Sequence, residues 1–324
     1  MIRFTLKCLL LALFSQLALS CQNQSGKNNT PDSDPAQQPE AIALDGRELF
    51  PPRDTPEGKA RKDSLLAVAK ANYDANPNSL DNIIWLGRRT AYLTRYRDAI
   101  EIYTEGLEKF PNSPELYRHR GHRYISVREF DKAIADFEKA AELAKDRAVI
   151  TEPDGIPNKL NKPLSNLQFN IWYHWALAWY LKGDFEKAAD LYNTCMIYSN
   201  NPDLVCATSD WLYMTYRRMG DEYSAISVLE NINPDMEIIE NQSYFNRLLF
   251  YKGLKEADEL LDLDNTSPDN QLDIVTQGYG VGNWYLYNNR PDKAQEIFQK
   301  VLASDYWPAF GYIAAEADLY RMNK

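Results

Sequence analysis

The chain is poor in the residues that catalysis draws on. Of 324 residues only 3 are histidine and 4 are cysteine, and no serine or cysteine nucleophile stands beside a base. Nor does any stretch carry HExxH, GxSxG, a phosphate-binding GxxxxGK or a glycine-rich dinucleotide turn. The expectation is therefore a protein that is not an enzyme and needs no cofactor. Positive charge is short as well: a net charge of −10 argues against nucleic acid as a partner. The apolar run near the N-terminus, Cys8 to Leu19, is too short and too early for a membrane-spanning helix.

What is present is a repeat. Leu86-Gly87, Tyr96, Ala99, Tyr103 and Gly106 return as Arg120-Gly121, Phe130, Ala133, Phe137 and Ala140, each 34 residues further on. Such a period marks a helix-turn-helix unit that buries its apolar face only against its neighbours. Small residues let its two helices approach while aromatics fill the space between them. Whole repeats are expected at about 80–113 and 114–147, preceded by a helix over 59–76 in the second-helix slot of an incomplete leading repeat.

The pattern LG at 86–87, Tyr96, Ala99 and Pro111, then Tyr117, Gly121, Tyr124, Phe130, Ala133, Phe137 and Ala140, resembles the tetratricopeptide repeat family. Thr90 departs from it at a position where an aromatic is usual. The resemblance implies an all-α fold over residues 57–324: a right-handed superhelical solenoid of about six helix pairs, with a last helix at 308–321 capping the exposed end.

A third repeat returns at Trp172, Trp175-Ala176, Trp179, Gly183-Asp184-Phe185, Ala188 and Tyr192, displaced by a surplus of 21 residues. The surplus is a long insertion at 146–168, where Pro153, Gly155, Pro157 and Pro163 forbid a continuous helix. It reads either as a passive surface loop or as a segment that modulates access to a binding site. Weaker repeats follow at 212–229, 244–261 and 282–298. The blocks EPDGIPN and FNIWYHWALAWYLKGDF also resemble bacterial repeat lipoproteins.

Residues 1–20 read as a secretory signal peptide, with Arg3 and Lys7 ahead of the apolar run and Ser20 at its end. Leu17-Ala18-Leu19-Ser20-Cys21 resembles a bacterial lipobox, which implies cleavage before Cys21 and lipidation of its thiol, although Ala18 stands where Leu is commonest. Gln22 is not the Asp that resembles an inner-membrane retention signal. The expected location is thus the cell envelope, preferably the outer membrane, facing the periplasm or the surface. Residues 21–56 read as a lipidated, flexible tether. Ile42, Leu44, Leu49 and Phe50 interrupt that tether and suit docking on the first helices.

Trp172, Trp175 and Trp179 share one helical face, and the repeat phase assigns them to packing slots between helices. Trp85 and Trp211 each precede the packing Leu by one residue and turn toward the concave side, as candidates for ligand contact. Arg88, Arg118, His119, His122 and His174 are expected to line the same groove, with Tyr173 beside them. An arginine fork there suits a carboxylate or another anion; pairing with Asp and Glu on a solvated face is the other reading.

The three histidines raise the question of a metal, but no carboxylate or thiol sits at ligand spacing beside them, so none is expected. Asp262-x-Asp264-x-Thr266 with Asp273 faintly echoes a calcium loop. Ser267 replaces the glycine that loop requires, and a polar interhelical loop is the better reading. An oxidising compartment permits a Cys195–Cys206 disulfide; two buried thiols are the other outcome.

Together these features point to a scaffold anchored to the envelope, binding a protein or peptide partner in its concave groove, with an anionic group on that partner. The carboxylate clamp of tetratricopeptide proteins wants Lys and Asn on successive first helices. Here Ile84, Arg88, His119, Asn170 and His174 hold the slots, so that clamp is not reproduced. The alternative is a glycan-capture accessory lipoprotein of an outer-membrane uptake system, with Trp85, Tyr173, Trp211 and Tyr279 as its aromatics.

Overall fold

The structure, a computed structural model, describes residues 38–262 and 268–324, with side chains after the second break from Ile274 onward. The stretch expected to be a signal peptide, Cys21 and the calcium-loop echo beyond Asp262 lie outside the described residues.

Helices follow one another in tandem pairs. A leading helix α1 (Pro56–Ala75) is followed by α2 (Leu80–Tyr92) with α3 (Tyr96–Lys109), α4 (Pro114–Ser126) with α5 (Phe130–Ala144), and α6 (Leu167–Lys182) with α7 (Phe185–Tyr198). Then come α8 (Pro202–Met219) with α9 (Glu222–Glu230), α10 (Gln242–Tyr251) with α11 (Ala257–Leu260), and α12 (Pro268–Tyr287) with α13 (Pro291–Leu302), and the chain ends in α14 (Phe310–Met322). The two helices of each pair pack together, giving the expected all-α solenoid of six pairs. The fifth pair is degenerate, because α11 is a single turn of 4 residues.

The first helices start where the sequence supplies caps. Ser79, Ser113, Asn166 and Asn201 each accept a bond from a backbone N–H three residues on, and Pro114 and Pro202 occupy the first turn, where their missing N–H costs nothing. Within a pair the small slot is obligatory. A Cβ on Gly87 would lie 2.3 Å from the ring of Tyr103, so only glycine lets α2 and α3 approach around that ring. The turn between partners repeats too: Thr94, Arg128 and Gly183 hold one slot of the period, with φ of 60°, 65° and 87°. Arg128 adopts this left-handed conformation without being glycine, at a steric cost that its side-chain contacts offset.

Those contacts fix the last helix in place. As expected, α14 packs along α12 and α13, covering the last pair, and it also reaches α6. Ile313, Ala314, Ala315 and Ala317 are completely buried. Glu316 receives two bonds from the Arg128 guanidinium, at 2.9 and 3.2 Å. Asp318 receives Arg218 of α8 at 2.8 Å and Arg321 at 2.6 Å. The Arg321 guanidinium also donates to the Leu181 carbonyl of α6.

The tether reading is corrected. Residues 41–49 form a hairpin, β1 (Ala41–Ile42) paired antiparallel with β2 (Glu48–Leu49), and Ala41, Ala43 and Leu49 are buried. Its anchor is α14 and the loop before it, because the Leu44 amide donates to Glu316 at 2.9 Å and the Trp307 indole N–H donates to the Phe50 carbonyl at 2.6 Å. The backbone amide of Arg97 at the start of α3 also donates to Glu40. Among the described residues, packed structure is therefore already present from Glu40, inside the stretch 21–56 expected to be a tether.

Glu316→Ala leaves Arg128 buried and uncompensated, so urea unfolding should show a loss of about 3–5 kcal/mol, whereas a joint Arg128→Met, Glu316→Leu change should cost much less. Equal losses in the single and double variants would contradict this account.

Candidate functional site

The insertion lies over the first helices. Arg88 of α2 donates to the Pro153 carbonyl at 2.9 Å, Arg89 donates to the Gly155 carbonyl at 2.9 Å, and Arg118 of α4 pairs with Glu152 at 2.9 Å. Asn170 of α6 donates to the same Glu152 carboxylate, and an isolated bridge between Thr151 and Asn166 closes the base of the insertion. Gly155 is seated so tightly that a Cβ there would fall 1.5 Å from the Tyr92 hydroxyl. This segment is thus docked through four side chains of three first helices, which a passive loop would not need.

Between the insertion and the helices a cavity of about 230 Å³ remains, with Trp85, Arg88, His119, Glu115, Arg147 and Glu152 in its walls. Glu115 and Arg147 pair across one side at 2.7 Å. On the other side the Arg88 and Arg89 guanidinium groups sit 4.4 and 4.8 Å from the centroid of the Trp85 ring, holding the indole in place by cation–π attraction. Arg88 forms no ion pair among the described residues. Three of the expected groove residues, Trp85, Arg88 and His119, meet here, with Arg118 behind them. Glu115, Arg147 and Glu152 escape a sequence reading because their partners lie 32 to 34 residues away.

His122 and His174 do not face this cavity. They stack on each other at 4.4 Å, and Phe310 of α14 covers both, at 5.3 and 5.5 Å. Burial, with Arg118 and Arg123 nearby, pushes the His174 imidazole down to about 3 and holds His119 and His122 well below the ordinary histidine value, so all three are neutral at pH 7. Hydrogen bonding sets two tautomers. His174 Nδ1 lies 2.6 Å from the Asn170 carbonyl and must donate to it, while His119 Nδ1 lies 2.8 Å from the Arg118 guanidinium and must accept. Among the described residues no group of three or more His, Cys, Asp or Glu is arranged to hold a metal.

The aromatic candidates divide differently from expectation. Trp211, Tyr173 and Tyr279 are buried, Trp211 stacking on Tyr279 at 5.6 Å, and are core. Their buried neighbours also include the Arg247–Asp210 ion pair, which joins α10 to α8. Trp172, Trp175 and Trp179 are instead only partly buried, on the outer side of α6. Trp211 is interior because α12 closes over its face through Tyr279, a contact that the one-residue offset from the packing Leu does not reveal. Cys195 and Cys206 are both free and buried, so the disulfide does not form; burial pushes each thiol up to about 12.

With the geometry established, known proteins can be compared. Residues 114–147 match the tetratricopeptide repeat family model. This is the second repeat, α4 with α5, at the boundaries that the 34-residue period sets. No curated protein matches the chain in sequence. Among solved structures, similar chains include YrrB, described as a tetratricopeptide protein with an unusual peptide-binding site, at 13% identity and TM-score 0.39 over 72% of this chain and 91% of that one. A tetratricopeptide repeat protein from Parabacteroides merdae matches at 14% identity and TM-score 0.42 over 81% of this chain and 79% of that one. The match covers that one unit; the preceding helix pair shares its 34-residue period, and the others share its tandem pairing.

The neutral histidines give a pH dependence. The unfolded chain takes up protons on histidine near the ordinary value of 6.5, but folded His174 does so only near 3, so stability is complete above pH 6.5 and falls as pH drops toward 3. From pH 7.5 to 5 His174 alone should remove about 2 kcal/mol of unfolding free energy. Thermal melts of the wild type should show this decline, and His174→Phe should flatten it; an identical acid slope in the variant would contradict the assignment.

Proposed function

We propose that this chain is a non-enzymatic scaffold for a protein or peptide partner, recognised at the cavity between the insertion and the first helices. The observation that carries this reading is the pairing of a half-buried Trp85, contacted by the Arg88 and Arg89 guanidinium groups, with Arg88, which forms no ion pair among the described residues. A cavity of this kind offers an apolar anchor beside a cation, the combination that dominates protein interfaces. An anionic side chain or terminal carboxylate on the partner would complete it. Tetratricopeptide proteins serve as interaction scaffolds, and the matched repeat contributes Glu115, His119 and Arg147 to the cavity walls. The insertion would then modulate access, since Glu152 and Pro153 form part of the cavity wall and Arg88 holds the Pro153 carbonyl.

The lipobox-like stretch ending at Cys21 supports tethering of this scaffold to the cell envelope, with the outer membrane as the proposed location. Buried Trp211, Tyr173 and Tyr279 leave no aromatic series in the groove for a glycan.

Crosslinking pull-downs from native membranes should recover a reproducible partner with the wild type and lose it with Trp85→Ala, Arg88→Ala. Arg88 bonds only the Pro153 carbonyl of the insertion, so circular dichroism should show the variant folded. An unchanged partner set with a folded variant would move the interface elsewhere.

A further inference from the structure

The face formed by the first helices already holds a peptide, and that peptide is the chain's own. Residues 151–155, Thr-Glu-Pro-Asp-Gly, lie against α2, α4 and α6. The Glu152 carboxylate is held by Arg118 at 2.9 Å and by the Asn170 side-chain amide, and the Arg118 and Glu152 side chains are only 11% and 15% exposed. The next two contacts are to backbone, from Arg88 to the Pro153 carbonyl and from Arg89 to the Gly155 carbonyl. Gly155 is also selected by size, because a Cβ there would meet the Tyr92 hydroxyl at 1.5 Å and the Arg88 guanidinium at 2.7 Å. Together these contacts specify a glutamate with a glycine three positions further on, and take the rest of the segment by its carbonyls.

What holds the segment is polar, and therefore open to exchange. From Lys145 to Pro163 only Gly155 is buried. Val149, Ile150, Ile156 and Leu160 are 48 to 69% exposed, so the insertion adds little apolar area to its own docking. Asp154 opposes the docked form, since one of its carboxylate oxygens is buried without a hydrogen-bond partner among the described residues. Beyond Gly155 the next hold is the exposed contact of the Asn158 amide with Glu240. A second carboxylate and a second glycine could take over each of the four side chains that Glu152, Pro153 and Gly155 occupy.

We propose that residues 151–155 are an internal ligand, and that the partner replaces them with an acidic peptide segment of its own. That segment carries Glu with Gly three residues on; its carboxylate takes Arg118 and Asn170, and its carbonyls take Arg88 and Arg89. The proposal rests on the reading of the first-helix face as the recognition surface, and adds which peptide chemistry that face accepts and what leaves when the peptide enters. The tethered segment competes at an effective concentration on the order of millimolar. A peptide that meets only the arginine charges is thereby kept out.

The probe is the segment itself, a fluorescein-labelled peptide of residues 148–158, which contains no lysine or arginine. In the full chain carrying Glu152→Ala and Gly155→Ala the insertion loses its docking, so trypsin should cut after Lys159 about tenfold faster than in the wild type. Fluorescence anisotropy should show this variant binding the peptide, and the wild type, whose site is filled, binding it at least about thirtyfold more weakly. Adding Arg118→Ala should lower the variant's affinity about tenfold, and a peptide with alanine in place of Glu152 and Gly155 should not bind. Unchanged cleavage, no binding to a folded variant, equal binding to variant and wild type, or binding indifferent to Arg118 would each overturn the proposal. If circular dichroism shows the variant unfolded, the wild type decides: about 5 mM peptide, enough to compete with the tethered segment, speeds cleavage after Lys159 if the proposal holds, and an unchanged rate overturns it. Trp85 and Arg88 are intact in all these chains. Failure of the peptide here, with a pull-down partner that still needs Trp85 and Arg88, counts against the internal ligand alone, whereas a partner indifferent to both counts against the groove reading itself.

Discussion

Two acids in the last helix hold the parts of this fold together. Glu316 and Asp318 sit among alanines on α14, fully desolvated, where an unpaired carboxylate would be untenable. Arg128 comes to Glu316 from the turn between α4 and α5, and Arg218 comes to Asp318 from α8. Burial alone would push the Asp318 carboxyl up, but Arg218 and Arg321 more than offset it and hold the group below the usual carboxylate range. Each arginine is fixed in turn. Arg128 spends a left-handed backbone conformation to reach inward, and its guanidinium also lies over the Trp307 ring at 5.3 Å. Because ion pairs and hydrogen bonds require directions and apolar packing does not, these acids set where along the array α14 lies.

The small residues between the acids explain how a helix fits there at all. Ala314, Ala315 and Ala317 let α14 approach its neighbours closely, and Phe310 at its start covers the stacked His122 and His174. The same helix receives the hairpin through the Leu44 amide, so one carboxylate binds both Leu44, 272 positions away, and Arg128. The first-helix face that a repeat array usually presents to partners is thereby used internally twice: by α14 over α4 and α6, and by the insertion over α2 and α4. What stays open there is the cavity under the insertion. Function, on this account, sits on that face, in the cavity and where the insertion lies.

The period, the pairs and the caps were readable in the sequence because each depends on residues within one repeat. Gly87 against Tyr103 and Gly121 against Phe137 are contacts inside a pair, and the second repeat falls at the boundaries the period sets. The ion pairs that fix α14 were not readable, since its partners Arg128 and Arg218 lie 188 and 100 residues away. One signal was available: AAEADL places two acids in an otherwise small and apolar helix, a pattern that a solvated cap does not need and a buried ion pair does. Trp85, Arg88 and His119 line one cavity, because successive first helices present equivalent slots. His174, one slot further on, was lost to α14, which repeat phase cannot foresee. The Trp172 group was assigned to packing for the same reason in reverse: phase gives the slot, but the width of the groove between α5 and α6 depends on what faces it, here Ala141 and Ala144.

The central claim is that α14, which covers the last pair, is also buried against α6 and locked there by its two acids. Native-state hydrogen–deuterium exchange on the full chain tests it most directly. Amides of residues 313–319 should be as protected as those of α6 and should exchange with the global unfolding free energy. Exchange of α14 at the rate of a frayed terminal helix, while α6 remains protected, would contradict it.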